Sequence, residues 1–265
     1  MDKFVPEDNE ESDEAYHKLV RRKVMETLNT KEDFPFTKQE IKDILNKLNH
    51  RKAPGEDALT SEILRQTFET FPNTFTEIYN ECLRRGHFPK QCKTAVIVPL
   101  IKTGKEETND AQKYRPISLL NTGGKVLDKL LIYRINHYLF SNNLTNNNQF
   151  GFRPQRSTID AALAVEEFAL HHIKQREYVV MISLDVIGVF DVAWRPGISN
   201  NLRNLRCPSN LYNLTRSYFS DRLAIWQANT YRIERKASRG CPQGSCSGPG
   251  WQRMEKISWT EHVRN

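Results

Sequence analysis

An aspartate that closes an apolar run is the residue in this chain most in need of a chemical explanation. Tyr178-Val-Val-Met-Ile-Ser-Leu184 is β-branched and apolar enough to predict a buried strand, and Asp185-Val186 follows it directly. A carboxylate placed there is costly unless it meets a cation or hydrogen-bond donors. Hard cations take oxygen ligands, and a strand end would hold the Asp185 carboxylate rigidly beside the Val186 carbonyl. A local alternative stands beside this one: Asp185 would equally cap a helix that follows it. Phe190 and Asp191 come next; taken alone, Phe190 reads as a core aromatic.

Further segments carry residues of the same kind. Arg239-Gly-Cys-Pro-Gln243-Gly244-Ser-Cys-Ser-Gly-Pro-Gly250 is a turn punctuated by glycine and proline. The Gln243 amide both donates and accepts, and Gly244 lets a backbone approach closely. An ordinary turn opening a helix would share those features. Upstream, Ala95-Val-Ile-Val-Pro-Leu-Ile-Lys102 and Lys113-Tyr-Arg115-Pro-Ile-Ser-Leu119 offer a lysine and an arginine, for which solvated surface bases are the plain reading. Gln149-Phe-Gly-Phe-Arg153-Pro-Gln-Arg156-Ser-Thr158 interleaves Phe150 and Phe152 with two arginines, which suits a nucleic-acid strand and equally a packed turn.

Taken together and in this order, the segments resemble the motifs of reverse transcriptases, in the jockey-like form of non-LTR retrotransposons. Residues 181–191 resemble motif A, residues 239–250 motif B, and the two upstream segments the fingers motifs, the whole covering roughly residues 50 to 250. The resemblance implies RNA-directed DNA synthesis on an RNA template and a DNA primer, with dNTP substrates. It implies Mg2+ held by Asp185 and the Val186 carbonyl. Lys102 and Arg115 would grip the triphosphate, the arginine through its planar fork. Phe190 would lie beneath the incoming sugar and exclude a 2′-hydroxyl. Gln243 and Gly244 would touch the templating pair and the nucleotide, and Arg153 and Arg156 the strand. Ile187 stands where the family usually has a polar residue, and Val189 where it has a small one. No aspartate follows Asp221, so the aromatic-x-Asp-Asp hairpin of the family is missing from these 265 residues. The expected fold is therefore α+β, the fingers and a partial palm with a mostly antiparallel sheet, lacking the last palm hairpin and the thumb. The alternative function is a catalytically dead nucleic-acid-binding remnant of a mobile element.

The elements that must position these residues can be read from patterning. Phe36-Thr37-Lys-Gln-Glu40 reads as a capping box ahead of a helix bearing Ile41, Ile44, Leu45 and Leu48. Helices are predicted near Ala15–Leu28, Ser61–Phe68, Thr74–Arg85 and Leu119–Phe140, and from the Ser157 cap to about Lys174. Others are expected near Asn201–Leu205 and Asn210–Phe219. Thr94–Ile101 reads as a buried strand, with Pro99 arguing for a sheet edge. Leu223–Ala228 and Tyr231–Lys236 read as a hairpin. Residues 1–35 are expected to be an acidic, flexible segment plus the basic helix, residues 36–250 the fingers and partial palm, and residues 251–265 a divergent tail.

Composition agrees with a polyanionic partner. The net charge is +7, yet Asp2, Glu7, Asp8, Glu10, Glu11, Asp13 and Glu14 crowd the first stretch against Lys3 alone, leaving the remainder more basic still. Such an excess binds phosphate and releases counterions, although an ordinary basic surface would look the same. No run of about 18 apolar residues spans a membrane, and no basic-then-apolar leader is present. The five cysteines are odd in number and lack CxxC spacing, which predicts reduced thiols in an intracellular protein and no zinc site, with cytoplasm or nucleus left open.

These readings predict that a polypeptide of residues 1–265, given RNA template, DNA primer, dNTPs and Mg2+, extends nothing above background. Extension that disappears with Asp185→Ala would overturn the expectation.

Overall fold

The computed structural model describes residues 4–254 other than 51, 103, 105–109, 111–112, 185–188, 229, 243, 246, 249 and 252–253, and only the backbone of 189 and 190. Its centre is helix α5 (Thr122–Ser141), preceded by α1 (Ala15–Met25), α2 (Lys38–Asn46), α3 (Ser61–Thr70), α4 (Pro72–Arg84) and strands β1 (Thr94–Ile101) and β2 (Tyr114–Leu120). After it come α6 (Thr158–Lys174), α7 (Val189–Val192), α8 (Arg195–Asn204), α9 (Ser209–Phe219), β3 (Leu223–Ala228) and β4 (Tyr231–Lys236).

Val126, Leu127, Leu130, Leu131 and Ile135 of α5 are all buried, so this helix is covered on more than one side. Ile41 and Leu45 of α2, Leu64 and Phe68 of α3, Leu83 of α4 and Leu211 and Leu214 of α9 join it in one apolar core. Local chemistry starts several of these helices. Thr37 accepts from the Glu40 N–H while the Glu40 carboxylate takes the Thr37 N–H, and Ser157 and Asp160 repeat the device on α6. Pro72 opens α4, where its missing N–H is harmless. Arg134 then ties α5 to α2, its Nε donating to Glu40 Oε1 at 2.7 Å and its Nη1 to Asp33 Oδ2 at 2.9 Å.

The described strands form one sheet in the order β2-β1-β3-β4, antiparallel, parallel and antiparallel in turn. The structure is thus mixed α and β, with the 223–228 and 231–236 hairpin where patterning predicts it. β2 is an element that patterning missed: Arg115 and Pro116 interrupt the apolar alternation that marks a strand. The edge position expected from Pro99 holds for half of β1. The strand is interior over Thr94–Val96, where β3 pairs with it, and beyond that has β2 alone among the described residues. Pro99 faces Pro116 across the ladder. The Lys102 N–H donates to the Lys113 carbonyl at 2.8 Å, so by alternation the proline pair is a rung at which neither N–H would point at its partner.

Three expectations are corrected. Residues 178–184 are not a buried strand; Tyr178, Val180, Met181, Ile182 and Leu184 are exposed, and α6 before them buries no side chain. An apolar run holds as a strand only where a ladder and a covering layer receive it, and among the described residues neither does. The acidic start is not loose: Val5, 7% exposed, packs with Ala95, Ile97, Leu120 and Ala224. The Asp8 N–H donates to Ser238 Oγ at 2.9 Å, and Arg21 of the basic helix collects Asp8 at 2.7 Å and Asp13 at 2.5 Å. The charges that suggested a solvated tail find their partner one helix away. Finally, Trp251 and Met254, assigned to a divergent tail, are fully buried in the main core. The Trp251 indole N–H donates to Ser247 Oγ at 2.7 Å, and Asn201 Nδ2 donates to the Met254 carbonyl at 2.7 Å. None of the described helices is long and apolar enough to cross a membrane.

Trp251→Ala removes a fully buried ring and one of the Ser247 hydroxyl's hydrogen bonds, leaving it the Tyr218 hydroxyl at 3.3 Å, so it should cost about 3–5 kcal/mol. Urea unfolding followed by circular dichroism checks this; a stability within error of wild type would show that the Trp251 ring does not hold the core.

Candidate functional site

The β1–β2 hairpin builds the first half of the candidate site. Opposed residues of an antiparallel pair point to one face, and alternate residues repeat it. Val96 faces Leu119, Val98 faces Ile117 and Leu100 faces Arg115, and the Lys102–Lys113 hydrogen bond carries the register one rung further. Lys102 and Arg115 therefore share a face as diagonal neighbours, about 7–8 Å apart at Cα. The opposite face carries Ala95 and Ile97, both buried. Arg115 is exposed and Lys102 half-buried. Two cations on one face at that spacing fit neighbouring phosphates of a polyanion.

The second half is the turn after β4. Gly244 has φ +112°, and a Cβ built on it would stand 3.0 Å from the Ser118 carbonyl oxygen and 3.9 Å from Ile117 Cγ2. Its backbone is thus pressed against β2, and Ile117 lies on the Arg115 face of that strand. The turn is held from both ends. The Gly240 N–H donates to the Ala193 carbonyl at 2.9 Å and Arg239 Nε to the Val192 carbonyl at 3.0 Å. Further on, the Ser245 N–H donates to the Pro242 carbonyl at 3.0 Å and the Ser247 N–H to Asp128 Oδ2 at 3.3 Å.

Asp128 is a residue that motif reading missed. It is buried in α5 between Leu127 and Leu130, and it anchors the chain just after the turn. A carboxylate inside the apolar stripe of a helix was the available signal. Arg195, likewise missed, is taken up below.

Of the predicted site residues, the structure sets Lys102 and Arg115 on one face of the hairpin and packs Gly244 against the same hairpin further along, at Ile117 and Ser118. Asp185, Val186 and Gln243, and the side chain of Phe190, lie outside the described residues. The next residue, Asp191, is half-buried and lines a cavity of about 50 Å3 with Ala95, Ile97, Ser118, Cys241 and Pro242. Arg153 and Arg156 sit on the connection from α5 to α6 and make local contacts. Arg153 Nη1 donates to the Asn146 carbonyl at 3.0 Å, and the Arg156 guanidinium lies 5.2 Å from the centroid of the Phe150 ring. Phe152 is exposed, with φ 55°. The rings and arginines therefore interleave on one connection, the Phe150 ring engaged by Arg156 and the Phe152 ring exposed to solvent. Among the described residues no three His, Cys, Asp or Glu side chains converge as a metal site.

The Gly244 geometry leads to a test. Gly244→Ala places a methyl group against the Ser118 carbonyl in a backbone conformation that alanine resists, and should destabilise by about 1–3 kcal/mol. Gly151, where an added Cβ meets nothing within 4 Å, is the control. Equal denaturation midpoints for the two variants would show that the turn does not press on β2.

A family model described as reverse transcriptase (RNA-dependent DNA polymerase) matches residues 102–254, which takes in the hairpin tip, the turn and the buried Trp251 and Met254. The RNA-directed DNA polymerase from mobile element jockey of Drosophila funebris is 36% identical over 219 residues, covering 81% of this chain and 23% of that protein. Its counterpart in Drosophila melanogaster is 35% identical over 214 residues, covering 80% and 23%. The Retrovirus-related Pol polyprotein from type-1 retrotransposable element R1 of Bradysia coprophila is 32% identical over 216 residues, covering 81% and 21%. The chain spans less than a quarter of the length of these relatives, at 23% of the jockey polymerases and 21% of the R1 polyprotein. With the family match extending over the geometry just described, the chain belongs to the reverse transcriptase family, among the jockey-like polymerases of non-LTR retrotransposons.

Proposed function

We propose that this chain forms the fingers and part of the palm of an RNA-directed DNA polymerase that extends a DNA primer along an RNA template. The observation that carries the reading is that Lys102 and Arg115 share one face of the β1–β2 hairpin while the Gly244 turn packs on the same hairpin at Ile117 and Ser118, in a chain of this family. Lys102 supplies a point charge and Arg115 a planar fork to the triphosphate of the incoming dNTP. Gly244, with no side chain between its backbone and β2, keeps the turn low enough for Gln243 to reach the templating pair. Gln243 reads that pair through an amide that donates and accepts. Phe190 lies under the sugar as an apolar floor, which leaves a 2′-hydroxyl without a partner.

Asp185 and the Val186 carbonyl are the residues that would hold Mg2+. Their donor set fits in kind: both are hard oxygen ligands, and this cation is commonly bound by one or two carboxylates together with substrate phosphates. When bound, it supplies charge neutralisation at the triphosphate and a more acidic primer hydroxyl. Arg153 and Arg156, with Phe150 and Phe152 beside them, track the nucleic-acid strand by phosphate contact and ring stacking without reading sequence.

The test is salt-dependent binding of an RNA–DNA hybrid to residues 1–265. Affinity should fall steeply with ionic strength, and Arg153→Glu with Arg156→Glu should weaken binding alike for unrelated sequences. Each lost phosphate contact should lower the slope of log K against log salt by about one unit or less. Binding that ignores salt, or ignores the reversals, would overturn the assignment of those arginines.

A further inference from the structure

We propose that Arg195 is the positioning residue of the turn that carries Gln243 and Gly244, a clasp that sets where the turn leaves β4 and how it meets the segment following Asp185. Arg195 opens α8 and is only 6% exposed. Its hydrogen bonds among the described residues all go to backbone carbonyls. Nε donates to Gly240 at 2.8 Å, Nη1 to Phe219 at 2.9 Å and also to Ala237, and Nη2 to Arg239 at 3.1 Å. The cation lies 5.8 Å from the centroid of the Phe219 ring.

A buried guanidinium is expensive, and carbonyl dipoles compensate it less than a carboxylate would. Burial, joined by the nearby Arg222 charge, pushes the Arg195 guanidinium down to about 10, which still leaves it charged at neutral pH. An apolar side chain would fill the volume at lower cost. It could not turn the carbonyls of Ala237, Arg239 and Gly240 toward one point, which is what bends the chain after β4 out of its strand. Gly240, at φ +71°, completes the bend. The planar fork reaches carbonyls on opposite sides at once, whereas a lysine offers its donors from a single atom.

The same bend is stitched to the residues just before Arg195. The Gly240 N–H donates to the Ala193 carbonyl at 2.9 Å, and Arg239 Nε donates to the Val192 carbonyl at 3.0 Å. Arg195, two residues beyond Ala193, closes this exchange from the side-chain direction. The exit of the first motif and the entrance of the second therefore move as one piece. The functional part of this inference rests on the nucleotide-contacting role proposed for Gln243 and Gly244; the mechanical part does not.

Hydrogen–deuterium exchange of residues 1–265, wild type against Arg195→Lys and Arg195→Met, tests it, with thermal unfolding alongside. In Arg195→Lys, which keeps the charge, amides of residues 237–244 should exchange about tenfold faster or more, the equivalent of one lost charged hydrogen bond. Amides of α5 should not change. Unchanged exchange in 237–244, or an equal rise in α5, would overturn the clasp in favour of general stability. Should both variants fail to fold, the wild-type chain labelled with 15N-arginine still decides. The Nε–H signal assigned through its Phe219 contacts should be protected for far longer than exposed arginines, and rapid exchange would sink the proposal. Binding of an RNA–DNA hybrid separates the two readings. Wild-type chain that binds no hybrid would remove the functional reading while the exchange result still judges the clasp. Hybrid binding with unaltered exchange in the variants would remove the clasp alone.

Discussion

A helix that is apolar on several sides has to be covered on all of them, and in this chain that helix is α5. Its buried residues are met by α2, α3 and α4 from before it in the sequence and by α9 and the stretch around Trp251 from after it. The covering is tight where it matters for the site. A Cβ at Gly250 would fall 2.6 Å from Ile132 Cδ1, and one at Gly124 would fall 2.8 Å from Cys92 Cβ. Asp128 adds a polar fixing point in the same helix by accepting the Ser247 N–H. The glycine-rich segment after β4 is thus moored to the core at its far end, while its near end is held by Val192, Ala193 and Arg195.

Three glycines of that segment have three separate physical tasks. Gly240 takes a positive φ in the bend. Gly244 lies flat against the Ser118 carbonyl, and Gly250 makes room for Ile132. A single description such as "flexible loop" would miss all of them, because each glycine marks a place where backbone meets something closely. In the family to which the chain belongs this is the segment expected to face the nucleotide. The physical consequence is that its shape is dictated from α5 and from β2 rather than by its own composition.

Much of the architecture was readable because it is written locally. Thr37 with Glu40 and Ser157 with Asp160 announce helix starts through side chains three residues apart, and the 223–236 hairpin shows its own turn. The unread parts depend on partners far away in sequence. Arg21 could be seen as basic and Asp8 and Asp13 as acidic, yet only the fold shows that they neutralise one another and carry Val5 onto the sheet. β2 escaped because Arg115 and Pro116 spoil its alternation, although those two residues mark it as a strand end with one face in solvent. Residues 178–184 show the converse failure: a strong strand pattern does not make a strand unless a neighbour supplies the ladder. Of the candidate site, the residue types on the hairpin and at Gly244 were legible. The supporting Asp128 and Arg195 were not, since burying a charge is a decision of the tertiary structure.

The facing prolines of the hairpin have a consequence for how this surface behaves in a crowded solution. At their rung the missing N–H groups would have pointed outward, Pro99 toward the side that β3 has already left and Pro116 toward the open flank of β2. Past Val96 the hairpin is, among the described residues, a two-stranded ribbon with two unpaired margins, the usual invitation to a stray strand. Proline withdraws a donor from each margin, so a third strand finds a gap in the ladder it would need. A third strand from another chain would therefore meet a broken ladder on either margin of the ribbon.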